Sequence, residues 1–220
     1  VTPADVRRAL ARAAGAPVEV RSLGAGAYGA VVEEPQVVAE RMRSAAGVLG
    51  VEVSGAFLTV RVAPEGVVSG ILAEGNSYGD KGFVGPAGWS DRPRTFENPG
   101  FRVRYAFARS FWVGEWAREL GVRGGDVSGR NEELLLLGAL GELPGRADQA
   151  RRERQALPLV RFLVRLGDIY HDFFERYPAV PKGDEKPGAV HAARVTLASV
   201  VGIALGNGMK MIGETPRERI

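Results

Sequence analysis

The run Asn98-Pro99-Gly100-Phe101-Arg102-Val103-Arg104-Tyr105-Ala106-Phe107-Ala108-Arg109 divides the chain into two halves of different character. A residue before proline is pushed out of the α region, so Asn98 is predicted to cap a helix whose first position is Pro99. Val103, Ala106, Phe107, Ser110, Val113, Ala117 and Leu120 then fall near one stripe, which carries that helix to about Leu120. Arg102 and Arg109 share a face at heptad spacing, and Arg104 lies on the far side. Everything after this run reads as helices joined by brief turns. Residues 121–129 form a turn cluster, and 132–143 a short apolar helix ending before Pro144. Residues 146–177 form a longer helical stretch interrupted near Pro158, and a last helix runs over about 188–206 and on through N-G-M-K-M-I-G. Such helices with short connections predict an antiparallel bundle.

Upstream the chain is short-period and glycine-rich. Thr2 and Pro3 open a first helix that ends at 15–17, and Val18-Glu19-Val20 alternates as a short strand. Residues 35–49 read as a second helix, with Val38 and Met42 on one face. Residues 51–62 have strong β character on either side of Gly55, and Pro64 opens a third helix that stops at Gly75. The order predicts a small α+β domain, helices on one face of an antiparallel sheet, over residues 1–80. Residues 81–97 are crowded with glycine and proline and read as a linker or ordered loop, and 98–220 form the all-α bundle.

Two motifs invite a nucleotide-binding reading and fail it. Gly24-Ala25-Gly26-Ala27-Tyr28-Gly29 is a GxGxxG, but no crossover helix opens on it and Pro35 breaks the segment that follows. Val38-Ala39-Glu40-Arg41 mimics a kinase strand, yet Arg41 stands where a lysine is needed, and neither H-R-D nor D-F-G follows. A turn is the expected role of the glycines.

Of the 29 basic residues all but four are arginine, against 26 acidic ones, for a net charge of +3. Arginine forks onto phosphates and stacks, so the bias permits nucleic-acid binding without demanding it. The chain has no cysteine, which removes disulfides, thiolate metal sites and thiol nucleophiles. His171 and His191 are the only imidazoles. His171 beside Asp172 is a poor acid–base pair, because consecutive helix positions do not face each other, and His171 is expected to be partly exposed. No run approaches the roughly 18 apolar residues of a membrane span, so a soluble cytoplasmic protein without metal or cofactor is expected.

Several stretches resemble one family in order along the chain. N-P-G-F-R-V-R-Y-A-F-A-R at 98–109 is similar to the N-P-x-[FY]-Y-V-Q-Y-A-H-A-R that opens the DALR anticodon-binding bundle of arginyl-tRNA synthetases. E-E-L-L-L-L, the A-L-P-L-V-R-F-L-V-R-L-G-D-I-Y-H-D-F-F-E-R-Y segment, A-A-R-V-T-L-A-S-V-V-G-I-A-L and the terminal N-G-M-K-M-I-G-E-T-P-R-E-R-I follow in the family's order. Upstream, G-A-F-L-T-V-R-V-A-P at 55–64 resembles the G-x-G-F-[IL]-N-[FI]-x-L-[AS]-P segment of the same enzymes' N-terminal additional domain, which holds the tRNA elbow. The resemblance implies elbow contacts from Phe57, Thr59 and Arg61, with Thr59 in place of the usual amide. It implies anticodon-side contacts from Arg102, Arg109, Phe174, Tyr177, Lys210 and Ile220. Phe174 lacks the family's hydroxyl but keeps a face that can stack a base, and Arg104 and Phe107 replace the opening motif's glutamine and histidine.

In these synthetases the catalytic domain occupies the junction where residues 81–97 stand, and neither an H-I-G-H nor a K-M-S-K signature occurs; Gly208-Met209-Lys210-Met211 is only superficially like the second. The reading is therefore a protein without catalytic residues that binds tRNA, arginine tRNA being the first candidate. It would present or sequester that tRNA, charged or not, for a protein partner such as an aminoacyl-tRNA-dependent transferase. The alternative is an interaction module that has lost RNA binding and docks through Phe83, Trp89 and Phe96.

Overall fold

Six of the described helices open on a proline at their first or second position, Pro3, Pro35, Pro64, Pro99, Pro144 and Pro158, where the missing N–H costs nothing and φ is preset. The computed structural model describes residues 3–24 and 26–220; the expected Thr2 cap lies outside them. The order is α1 (Pro3–Ala14), β1 (Val20–Gly24), β2 (Ala27–Val31), α2 (Pro35–Arg43), β3 (Val48–Ser54), β4 (Phe57–Val62) and α3 (Pro64–Glu74). After the Gly75–Ser77 3-10 turn come α4 (Pro99–Glu119), α5 (Asn131–Leu140), α6 (Leu143–Glu153), α7 (Leu157–Arg176) and α8 (Ala189–Met211). An antiparallel sheet with helices, followed by a helical region, is the fold class expected.

The details correct the sequence reading. The strand expected at 18–20 is β1, shifted to Val20–Gly24, and its partner β2 was not anticipated. The GxGxxG run is the β1–β2 hairpin: Gly24 pairs with Ala27, and Gly26 turns the chain at φ +74°. The helix expected to reach residue 49 stops at Arg43, because Gly47 at φ +76° swings the chain into β3. Pro144 does not end a helix but starts α6, so the stretch at 146–177 is two helices separated by Arg154, which adopts a left-handed conformation at φ 52°.

Strand order is β1-β2-β4-β3, with every pair antiparallel. Period-2 alternation sends Tyr28, Ala30, Leu58, Val60 and Val62 into the core and leaves Phe57, Thr59 and Arg61 on the outer face. The core runs without interruption from the sheet into the helices. Tyr78 is fully buried and donates to Leu140 O at 2.8 Å, while Asn207 Nδ2 donates to Gly75 O and Tyr78 O at 2.9 and 3.0 Å. A buried polar network thus joins the strand-containing part to the helical part.

In the helical part α4 and α8 run antiparallel: Gly202 meets Ser110 and Gly206 meets Phe107. The bundle is not antiparallel throughout, because the pairs Arg102–Asp168 and Arg109–Glu175 advance together and so make α4 parallel to α7. Helix α8 is long and apolar enough to cross a membrane by length and composition, contrary to the sequence reading. Here it is a core helix, with Leu197, Val200, Val201, Ala204 and Leu205 fully buried; each large side chain contributes about 1.5–3 kcal/mol of burial.

The segment between Tyr78 and Asn98 has no regular secondary structure, yet it is docked. Val84 N and Ala87 N donate to Met211 O and Ile212 O at 2.8 and 3.0 Å. Trp89 covers Gly100, where a Cβ would come within 2.6 Å of the Trp89 Cβ. Asn98 joins this loop to α4. Its Oδ1 accepts from Gly100 N and Phe101 N, and its Nδ2 donates to Ser90 O and Pro93 O.

Candidate nucleic-acid interface

On the outer face of the sheet, the Phe57 ring lies across Gly29 of the neighbouring strand. A side chain at Gly29 would run into it, and Leu23 closes over the same spot from β1. Thr59 stands directly opposite Gly29 in the register, and Arg61, opposite Ala27, makes an exposed pair with Glu52 at 2.9 Å. Glycine here leaves room for the aromatic ring beside the sheet, where Phe57 stays partly exposed. The three residues expected at an elbow site therefore share one accessible surface.

A second surface lies where α4 meets α7. The Arg109 guanidinium is sandwiched between Tyr105 and Phe174, at 4.4 and 4.5 Å from the ring centroids. Its Nη2 pairs with Glu175 at 2.8 Å, and its Nη1 lies 3.2 Å from His171 Nδ1. Phe101 stacks on Tyr105 at 5.5 Å, and Phe96 from the loop packs edge-on against Phe101, Tyr105 and His171. His171 is 7% exposed, not partly exposed as expected, and Asp172 beside it points to solvent. Burial pushes the imidazole below its ordinary value; the bond to the Arg102 carbonyl opposes the shift and the Arg109 charge adds to it. Arg102 pairs with Asp168 at 3.1 Å.

The other anticodon-side candidates stand apart. Tyr177 ends α7, packs on Phe173 and is covered by Arg194 of α8 at 5.5 Å. Lys210 lies on the opposite side of α4, beside a groove of about 370 Å³ lined by Phe107, Phe111, Gly114 and Gly202. Residues 214–220 cross α4 between these two sides. Arg104 holds Glu214 through Nε and Nη2 at 3.1 and 2.6 Å, and reaches Asp91 and Ser90 O of the loop. Trp112 Nε1 donates to Glu218 O at 2.8 Å, bringing the half-buried Ile220 to the Trp112 side.

The sequence reading missed Tyr105, Trp112 and Trp116. Together with Arg109 they recur at i, i+4, i+7 and i+11 along α4, a stripe visible in the sequence but overshadowed by the apolar one. The bundle arginines are mostly engaged: Arg118 with Glu115, Arg146 and Arg165 with Glu142, and Arg151 with Lys81 O. Exposed Arg92, Arg94, Arg176, Arg217 and Arg219 have no carboxylate within 4.0 Å among the described residues. In sequence Arg92 and Arg94 precede Phe96, Arg176 follows Phe174, and Arg217 and Arg219 belong to the terminal segment. Among the described residues no group of His, Asp and Glu could hold a metal ion.

The sequence model of the DALR anticodon binding domain matches residues 103–220, more than half of the chain. Among solved structures, the arginyl-tRNA synthetase of Thermus thermophilus is similar at 22% identity and a TM-score of 0.46, over 57% of this chain and 22% of that one. The chain therefore spans well under two thirds of that enzyme's length.

Proposed function

We propose that this chain, which belongs to the DALR anticodon binding domain family, is a non-catalytic protein that binds tRNA through both of its parts. The observation that carries the reading is the match of residues 103–220 to an anticodon-binding family. The outer sheet face, with Phe57, Thr59 and Arg61, would take the elbow, and the aromatic surface of α4 and α7 the anticodon side. Phe174 stacks a base there, while Arg109, already tied to Glu175, holds the Tyr105 and Phe174 rings in place, and Arg102 stays tied to Asp168. The phosphate contacts then belong to exposed arginines such as Arg92, Arg94 and Arg176. Lys210 and Tyr177 contact flanking backbone from their separate positions.

Arginine tRNA is the first candidate ligand, and the bound form is presented, charged or uncharged, to a partner that consumes aminoacyl-tRNA. Binding across a salt series tests the first part, since phosphate neutralisation makes affinity fall steeply with salt. No complex with any tRNA at low salt sinks the proposal. Sequencing the RNA that co-purifies, with and without a step that preserves the aminoacyl ester, tests identity and charging together.

A further inference from the structure

Beyond the Tyr105–Arg109–Phe174 sandwich, α4 carries a second aromatic surface that the resemblance does not point to. Trp112 and Trp116 are one turn apart, their rings 6.5 Å between centroids and tilted by 35°, with Phe111 edge-on to Trp112. Trp116 is 38% exposed. The terminal segment comes to the same place: Glu218 O holds the Trp112 indole N–H, and the Arg219 guanidinium lies 5.7 Å from the Trp112 ring centroid. Arg217 and Arg219 are exposed and have no carboxylate within 4.0 Å among the described residues, although Glu218 stands between them in sequence.

An indole pair beside a cation without a carboxylate within 4.0 Å among the described residues combines the elements of a single-strand platform: a π-face for a base and positive charge for the adjoining phosphate. A purely apolar protein contact would leave that cation uncompensated. The indole N–H, committed to Glu218 O, fixes the ring plane and leaves its faces for stacking. We infer that Trp112 and Trp116, with Arg219, form a stacking site for an unpaired nucleobase of the bound RNA. Arg219 covers Trp112 in the unliganded protein and moves to the phosphate when a base takes its place. The inference rests on the RNA-binding reading above.

The test uses the full chain in a Trp89→Phe background, so that Trp112 and Trp116 are the only emitters among the three tryptophans. The probes are whole tRNA, an RNA hairpin with an unpaired loop, and a fully paired duplex. The hairpin is expected to quench indole emission and the duplex to leave it unchanged. Trp116→Ala should weaken hairpin binding about ten-fold, Trp116→Phe should restore most of it, and Arg219→Ala should reduce the salt slope by about one. Trp116, being exposed, tests the site without the folding risk of Trp112. Failure of whole tRNA to bind at low salt removes the RNA-binding reading and this one with it. If tRNA binds but Trp116→Ala binds the hairpin as tightly as the parent and emission does not change, the stacking site alone is overturned. A Trp116→Ala variant that alters self-association and not RNA affinity also overturns it, in favour of a protein contact.

Discussion

Arg109 Nη1 lies 3.2 Å from His171 Nδ1, and the opposite ring nitrogen, Nε2, lies 2.9 Å from the Arg102 carbonyl. A carbonyl only accepts, so Nε2 carries the proton, and Nδ1 presents its lone pair to the guanidinium. The imidazole is neutral, and it fixes the arginine that Tyr105 and Phe174 enclose. Its folded-state pKa is lowered, so the unfolded chain takes up the proton first as pH falls. The stabilisation is complete above about pH 6.5, the unfolded value, and is lost as pH falls from there through the folded one. The difference in melting temperature between the wild type and His171→Gln should therefore narrow as pH is lowered from about 7.5 through about 6.5 and below. A constant difference over that range contradicts the assignment.

Asn98 does more than cap α4. An ordinary N-cap tolerates Asp as well as Asn, but here Nδ2 also binds two carbonyls of the preceding loop. Asn98→Ala should cost about 2–3 kcal/mol, one for the cap and about one for each lost loop bond. Asn98→Asp should fail to rescue, because its carboxylate would face Ser90 O and Pro93 O. Denaturant unfolding of both variants checks this, and an Asp variant as stable as the wild type would contradict it.

The Arg104 and Glu214 side chains are only 11% and 14% exposed, so removing either leaves a largely buried charge. Arg104→Met or Glu214→Gln alone should cost about 3 kcal/mol, and the double change less than the sum. Limited proteolysis should then cleave the terminal segment sooner in each single variant than in the wild type.

Gly29→Ala should push the Phe57 ring off the sheet without replacing any side chain of β4. If the outer face takes the tRNA elbow, this variant should lose RNA affinity to about the extent that Phe57→Ala does, roughly ten-fold for one lost stack. The two measurements should also be non-additive. An unaffected Gly29→Ala variant would separate Phe57 from RNA binding.

Local chemistry made several elements legible in the sequence: the cap at Asn98, proline at the start of α3, the β3–β4 hairpin about Gly55, and the apolar spacing of α4 and α8. The strand β2 was hidden because Gly29 reads as a turn residue. Its place in the sheet comes from the Phe57 ring above it, a contact between residues far apart in sequence. Pro144 and Pro158 look alike whether they stop a helix or start one, and packing of α6 and α7 decides. The parallel register of α4 and α7 depends on the paths of intervening segments, which no local pattern encodes. At the α4–α7 surface the resemblance points to Arg109 and Phe174. That the arginine is enclosed between rings, with His171 behind it, required the fold.

The buried bonds of Tyr78 and Asn207, the docked loop and the four contacts of Asn98 have a consequence for any ligand that touches both surfaces. The sheet face and the α4 stripe cannot drift apart as beads on a string would, and the protein works as a caliper with fixed jaws. An RNA that bound both would be selected by the distance between its own two corners as much as by the bases it offers at either one.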